Sequence, residues 1–259
     1  MATKKIALDC GHGLRTAGKQ TPDGIKEWTL NDKVRDKVVE ILKDYDVEII
    51  HTDYNEGYKD ESLASRREMY LDADVDAFVS IHHNAYSGTW NNATGVEVFV
   101  DKKATNADRK LAKAILNRLV DYTGMYNRGL KEANWYVINQ NKIPAVLVEG
   151  GFMDGSSDYK YITSENGQAA YAKAVAEGLI EFLGLQKKET SDVPFYVQVD
   201  KVEKGDFLNI RKEPNYKAEI TGRLEYNDPN KYTIVEVERG WGRLKSGIGW
   251  IHLYYTKRV

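Results

Sequence analysis

The chain has 259 residues, of which 42% are hydrophobic and 29% are charged. This composition is typical of a soluble globular protein with one large domain or two smaller ones. The formal net charge of −2 lacks the basic excess of nucleic-acid-binding proteins, so no nucleic-acid partner is expected. The single cysteine, Cys10, excludes an intrachain disulfide framework and a zinc site made of thiolates alone. Its place after an apolar run favours a small buried side chain over a thiol nucleophile.

The amino-terminal segment carries little apolar sequence. Residues Met1–Lys5 lead into Ile6–Leu8 and then Asp9, whereas a secretory signal peptide needs about 7–15 apolar residues behind its positive charges. No segment approaches the run of about 18 apolar residues that spans a membrane. We therefore expect a protein that is made in the cytoplasm without a signal peptide and does not insert into a membrane.

Strand-like and helix-like periods alternate as far as residue 184. Short β-rich runs predict strands at Lys5–Leu8, Val47–Ile50, Ala77–Ile81, Gly95–Val100, Tyr136–Ile138 and Ala145–Val148. Apolar residues at helical spacing predict helices over Leu30–Ile41, Leu111–Leu119 and Val175–Phe182, the last ending at Gly184. Strands separated by helices are typical of an α/β fold with a largely parallel sheet.

The pattern changes after residue 184. The stretch Gln186–Asp192 is polar, charged and aperiodic, which predicts a linker over residues 185–193. Beyond it, short β-rich runs are broken by turn signals such as Glu213-Pro214-Asn215 and Asn227–Asn230. The sequence therefore predicts two domains, an α/β domain at 1–184 and a small all-β domain at 194–259.

Three residues with metal-binding or acid–base chemistry lie at the ends of predicted strands. His12 lies in Asp9-Cys10-Gly11-His12-Gly13 after the first strand, His82 follows the third, and Glu149 follows the last. Ligands bind beyond the carboxyl ends of strands in open α/β sheets, so these side chains are expected to converge. Two imidazoles and a carboxylate suit a catalytic zinc ion, which keeps a fourth position for water. From their spacing alone, a metal site is supported no better than the alternative that both histidines have only structural roles.

The local sequences resemble one known family. The segments Asp9–Gly13, Gly24–Trp28, Ser80–Ala85, Asn127–Lys131, Tyr136–Ile138 and Pro144–Phe152 are similar to motifs of the N-acetylmuramoyl-L-alanine amidases of the type 3 zinc family. They follow the family order from about residue 4 to residue 184. The resemblance implies a twisted, mostly parallel sheet with flanking helices. It also implies a Zn²⁺ ion bound by His12, Glu27 and His82, with Glu149 as the catalytic carboxylate.

The neighbouring histidine and a charged pair need separate interpretations. Side chains alternate across an extended strand, so only one of His82 and His83 should face the metal. The resemblance assigns His82, which leaves His83 as a bystander or a substrate contact. Arg66 and Arg67 lie on a predicted helix, where we expect a solvated face or a salt bridge.

The resemblance implies an activity on peptidoglycan. The bond to be hydrolysed, by zinc-activated water, joins N-acetylmuramic acid to L-alanine of the stem peptide. A zinc peptidase that cuts within the stem peptide is an alternative with the same site chemistry. A non-catalytic wall-binding protein is a further alternative, which the retention of all three ligands and Glu149 disfavours.

The carboxyl-terminal segment has a resemblance of its own. Leu208–Pro214, Gly240–Leu244 and Gly247–Ile251 resemble bacterial SH3-type domains, which implies an SH3-like barrel that binds the cell wall. Bacterial peptidoglycan is then both substrate and SH3-domain ligand. A wall hydrolase without a signal peptide is expected to be a bacteriophage endolysin that acts on the wall after release, with a bacterial autolysin as the alternative.

Overall fold

The computed structural model describes residues 3–53, 57–140, 142–188, 193–238 and 240–259. The chain divides into two compact units, Met1–Lys188 and Glu189–Val259. Each unit has its own sheet and its own hydrophobic core. Within the described ranges, no helix combines the length and the apolar content needed to cross a membrane.

Unit one is built around a six-stranded sheet with the order β2-β1-β3-β6-β4-β5. Neighbouring strands are parallel except for the antiparallel pair β4–β6. The predicted α/β fold with a largely parallel sheet is therefore confirmed. The strands are β1 (Lys4–Cys10), β2 (Val47–His51), β3 (Ala77–Asn84), β4 (Val96–Val100), β5 (Asn127–Glu132) and β6 (Ala145–Phe152).

One predicted strand is wrong and one real strand was missed. Tyr136–Ile138 forms a turn, whereas the strand beside β4 is Asn127–Glu132. Val137 and Ile138 are apolar because they pack into a core cluster beneath the sheet, not because they pair in it. The strand β5 lies at the sheet edge and is largely polar and exposed, so it lacks the apolar pattern on which strand prediction relies.

Helices cover both faces of this sheet. Apolar stripes of the first, third and fifth helices pack into the main core through residues such as Val34, Val38, Ile115 and Leu179, as their helical spacing predicts. The second helix packs Tyr70 against the opposite face. The helices are α1 (Glu27–Leu42), α2 (Leu63–Asp72), α3 (Asn106–Thr123), α4 (Ser156–Ile162) and α5 (Glu165–Leu183).

The long helices begin and end at residues suited to those positions. Thr105 and Asp108 form a capping box at the start of α3, and the Ser164 side chain accepts a hydrogen bond from the Gly167 N–H at the start of α5. These side chains satisfy N–H groups that a helix leaves unpaired. Gly184 ends α5 in the left-handed conformation, with φ of 63°, as the sequence predicts.

The end of unit one is attached more firmly than its polar sequence suggests. Leu185 is buried in the main core, and the Asp46 N–H donates to the Gln186 carbonyl at 3.0 Å. The Lys188 N–H donates to the Asp44 carbonyl at 2.7 Å. The predicted linker at 185–193 is therefore held against the turn between α1 and β2 at its start, and its residues 189–192 lie outside the described part of the chain.

Unit two is an all-antiparallel sheet with the order β13-β7-β10-β11-β12-β8-β9. Alternating residues of its strands, among them Val197, Ile210, Ile234 and Ile251, form a separate core. This antiparallel sheet is compatible with the small all-β domain that the sequence predicts. Its strands are β7 (Phe195–Val199), β8 (Phe207–Arg211), β9 (Ile220–Glu225), β10 (Tyr232–Glu238), β11 (Trp241–Leu244), β12 (Trp250–His252) and β13 (Thr256–Arg258).

Candidate metal centre

Three side chains from three elements of unit one meet in a cluster. His12 follows β1, Glu27 is the first residue of α1, and His82 lies near the end of β3. The His82 Nδ1 atom is 2.9 Å from Glu27 Oε1, and the His12 Nε2 atom is 3.3 Å from Glu27 Oε2. One ligand atom from each residue lies within 4.8 Å of the other two. The structure thus brings together the three residues that the sequence singled out as ligands.

Strand register explains why the two histidines meet. The neighbours β1 and β3 run parallel, with Cys10 opposite Ile81. His12, just after β1, and His82, near the end of β3, therefore lie at the same sheet edge. His12 adopts a left-handed backbone with φ of 66°, an uncommon conformation for a residue with a side chain. Gly11 lets the two segments approach, because a Cβ atom there would lie 2.0 Å from Cε1 of His82.

Glu27 is buried and both of its carboxylate oxygens face imidazole rings. Burial raises the pKa of Glu27, but the hydrogen bond and charge of His82 outweigh it, so this pKa is lowered overall. Burial lowers the pKa of His12 to about 4, with an opposing effect from the charge of Glu27. Two imidazole nitrogens and one carboxylate oxygen in a half-buried cluster therefore fit a zinc ion.

Glu149 lies beside this cluster. It pairs with His82 across β3–β6 and with Glu97 across β4–β6. Its side chain is buried, and Glu149 Oε2 has no hydrogen-bond partner among the described residues. Burial raises the pKa of Glu149 to about 8, with an opposing effect from His82. A carboxyl group that titrates near neutrality can both accept and donate a proton.

A cavity of about 530 Å³ connects the cluster to Glu149. All four residues line it, together with the aromatic side chains of Phe99, Trp135 and Tyr136. Trp135 is 37% exposed and Tyr136 is 47% exposed, so both rings are available to a bound molecule. The apolar run mistaken for a strand thus contributes part of the cavity wall. Large apolar surfaces with a few polar groups are typical of ligand-binding sites.

A buried arginine holds the loop that carries His12. The Nη1 atom of Arg66 donates to Asp9 Oδ1 and to the Cys10 carbonyl, both at 2.6 Å, and its Nη2 atom donates to the His12 carbonyl at 2.7 Å. Ser80 and Thr52 also donate to Asp9. A solvated face for Arg66 is therefore wrong, and the salt-bridge alternative is confirmed. Asp9, Cys10 and His12 lie more than 50 residues away from Arg66 in sequence, so local sequence could not identify these partners.

His83 belongs to a neighbouring network instead of the three-residue cluster. Its Nδ1 atom lies 2.8 Å from Asn31 Oδ1, and Asn31 Nδ2 donates to the Gly11 carbonyl at 3.1 Å. The ring is buried against Tyr171, and burial lowers the pKa of His83 to about 4. Asn31 was missed by sequence reasoning. Its only signal is a position four residues after Glu27, which places both on one face of α1.

Cys10 is completely buried. Burial raises the pKa of its thiol well above the ordinary value, so the group stays protonated and is a poor nucleophile. This result confirms the expected structural role.

Unit one is similar to a known protein family. A family described as N-acetylmuramoyl-L-alanine amidase matches residues 6–181, which include all four cavity residues discussed above. The chain belongs to the N-acetylmuramoyl-L-alanine amidase family. The match ends before residue 184, so it concerns unit one of this amidase and not unit two.

Individual relatives of this amidase include phage and bacterial proteins. An endolysin of Bacillus phage SPP1 is 31% identical over 228 residues, which cover 87% of this chain and 83% of that relative. An uncharacterised cell wall amidase of Bacillus anthracis is 36% identical over 129 residues. That match covers 47% of this chain and 24% of the relative, so about half of the chain matches about a quarter of that protein.

A solved structure supports the fold. The crystal structure of an N-acetylmuramoyl-L-alanine amidase from Clostridium difficile 630 superposes on this amidase with a TM-score of 0.66 and 27% identity. The superposition covers 71% of this chain and 98% of that structure. The superposed part of the chain is therefore about as long as unit one.

Proposed function

We propose that this amidase is a zinc enzyme that hydrolyses the amide bond between N-acetylmuramic acid and L-alanine of the peptidoglycan stem peptide. The observation that carries the proposal is the His12–Glu27–His82 cluster, which opens into the same cavity as Glu149, whose Oε2 atom has no hydrogen-bond partner within the described ranges. Family membership supplies the bond that is cleaved. The cluster supplies the place where an unactivated amide can be attacked.

His12, Glu27 and His82 would hold the zinc ion. When bound, zinc supplies Lewis acidity, which polarises a carbonyl group and lowers the pKa of a water molecule towards about 7. Arg66 and Asn31 position this ligand set through the backbone carbonyls of His12 and Gly11. Such outer contacts orient metal ligands and commonly affect metal affinity by about 10–100-fold.

Glu149 carries the proton in this mechanism. Its free Oε2 atom accepts a proton from the attacking water as the new carbon–oxygen bond forms at the scissile carbonyl. The same proton is then donated to the alanine nitrogen as the carbon–nitrogen bond breaks, so the amine leaves as a neutral group. Glu27 is unsuited to this role because both of its carboxylate oxygens already face imidazoles.

Unit two is proposed to be an SH3-type domain that binds the cell wall. Support comes from its antiparallel sheet and from its short strands, which agree with the SH3-like motifs in the sequence. The match to the phage endolysin is longer than the 188 residues of unit one, so that similarity extends into unit two. A wall-binding unit raises the effective concentration of a tethered enzyme at an insoluble substrate.

The biological role that we propose is host lysis by a bacteriophage endolysin, made in the host cytoplasm and acting on the wall after release. The SPP1 endolysin supports it because it matches most of both chains. A bacterial autolysin of the same activity is the second candidate, which the Bacillus anthracis cell wall amidase favours.

Mass spectrometry of digested peptidoglycan tests the activity. Cleavage of the proposed bond releases peptides that begin with L-alanine and leaves free lactyl carboxyl groups on muramic acid. New amino termini inside the stem peptide would instead identify a peptidase. No new termini from a zinc-loaded, folded protein would identify a non-catalytic wall-binding protein.

A further inference from the structure

Unit two contains a cavity of about 330 Å³ that is separate from the metal centre. Four rings, those of Tyr216, Trp241, His252 and Tyr255, line it and contact one another. The centroid of Trp241 lies 5.0 Å from those of Tyr216 and His252. Tyr216 is 61% exposed, so its ring forms an accessible side of the cavity, whereas Trp241 is buried.

The fold of unit two builds this ring cluster from distant segments. Trp241 begins β11 and pairs with His252 on β12. The 3-10 turn Leu253–Tyr255 follows directly and places Tyr255 beside His252. Burial lowers the pKa of His252. The rings of Tyr216, Trp241 and Tyr255 present π-faces, which attract cations.

The basic and the acidic side chains that line the cavity have different contact partners. The Nζ atom of Lys201 lies 4.5 Å from the centre of the Tyr254 ring, and Arg211 donates to the Ala218 carbonyl at 2.7 Å. In the part of the chain that the structure describes, the carboxylates of Glu203 and Asp206 form no ion pair. The cavity is therefore lined by two carboxylates without an ion pair among the described residues, and by two cations that contact a ring and a carbonyl group instead.

A further polar group in the cavity wall lacks a partner. The Oδ1 atom of Asn209 is buried and has no hydrogen-bond partner among the described residues. A buried acceptor without a donor is unfavourable by about 1–3 kcal/mol.

We propose that this cavity binds a primary ammonium group of the bacterial cell wall. The inference rests on the wall-binding role proposed for unit two. Aromatic faces and carboxylates that form no ion pair among the described residues both favour an ammonium ligand. Two wall components carry this chemistry: the side-chain amine of a diamino acid in an uncross-linked stem peptide, and amino-acid esters on an anionic wall polymer.

Sedimentation with purified walls tests the proposal. The full-length chain carries Glu149→Gln, so that the walls stay intact during the measurement. Tyr216→Ala and Asp206→Asn are the cavity variants; the asparagine keeps the hydrogen bond from the Phe207 N–H and removes the charge. Tyr196→Ala and Glu225→Gln are the controls, because both residues are exposed in the same unit and neither lines the cavity.

Each cavity variant should raise the Kd for walls by roughly threefold to thirtyfold, which is the range for a cation–π contact. The controls should stay within about twofold. Acetylation of wall amines should weaken binding of the reference chain to a similar extent and add little to Tyr216→Ala. Removal of the anionic polymer by acid leaves this loss intact if the ammonium belongs to the peptide, and abolishes it if the ammonium belongs to the polymer.

Two results would overturn the inference in different ways. Walls that bind the reference chain equally before and after acetylation, together with unchanged cavity variants, would refute the ammonium site and leave wall targeting standing. Failure of the reference chain to sediment with walls would refute the targeting role, and the inference with it. Neither result bears on amidase activity, which soluble muropeptides report separately.

Discussion

Replacing Gly11 by alanine should empty the metal centre without unfolding the protein. A Cβ atom at this position would lie 2.0, 2.2 and 2.4 Å from three ring atoms of His82. These distances are far below any normal contact, so the His82 ring must move. The backbone of Gly11 does not lie in the left-handed region, so alanine adds a steric clash and no backbone strain.

The size of the displacement follows from these distances. To reach a carbon–carbon contact of about 3.5 Å, the His82 ring must retreat by about 1.5 Å. Metal sites tolerate deviations of only about 0.2 Å in ligand distance. A misplacement of about 1 Å can also lower catalysis by about 10²-fold. Overpacking typically costs about 1–3 kcal/mol, against a total stability of about 5–15 kcal/mol, so the fold should persist.

The assay measures zinc content, turnover of soluble muropeptides and the thermal unfolding midpoint in parallel. Gly13→Ala is the matched control, because its Cβ atom would meet Asp60 and Gly57 at 3.1 Å and requires these neighbours to move by only a few tenths of an ångström. We expect Gly13→Ala to keep its zinc and Gly11→Ala to lose both zinc and most activity. A folded Gly11→Ala protein with one zinc ion and normal turnover would refute the reasoning.

Further predictions concern the other parts of the mechanism. Glu149→Gln should keep the fold and the zinc but lower turnover by about 10²–10⁴-fold; near-normal turnover of the zinc-loaded variant would remove Glu149 from the mechanism. His83→Ala should retain zinc and His82→Ala should lose it, and metal analysis showing the opposite pattern would reverse the assignment. Arg66→Met leaves a buried carboxylate without its cation and should lower the free energy of unfolding by about 3–5 kcal/mol, as measured by denaturant titration; a change below about 1 kcal/mol would contradict this. Limited proteolysis should cut within the polar stretch 189–192, not at the attached residues before it. The 1–188 fragment should then cleave soluble muropeptides normally and whole walls more weakly; equal activity on whole walls would count against a targeting role.

The sequence alone predicted the α/β class, the small all-β unit and the convergence of His12 with His82. Convergence was predictable because parallel strands end at the same sheet edge, and β1 and β3 proved to be neighbours. The role of Glu27 depended on the family resemblance. No local pattern shows that a glutamate at the start of α1 faces two histidines that are 15 and 55 residues away.

Other features depend on contacts between distant segments. The apolar run Tyr136–Ile138 has the composition of a strand, yet it packs beneath the sheet and lines the cavity, while the polar Asn127–Glu132 pairs at the edge. Backbone hydrogen bonding in a sheet depends on which neighbour is available, and composition does not contain that information.

The burial of charged groups also depends on the tertiary structure and not on the sequence pattern alone. The sequence places Arg66 on a helix and Glu149 after a strand, and it determines their charges. Only the tertiary structure decides that Arg66 is enclosed with Asp9 and that one oxygen of Glu149 beside the cluster has no hydrogen-bond partner in the described part of the chain. Desolvation and pairing depend on the three-dimensional surroundings of a group, so the same residues could have been solvated surface charges in another packing.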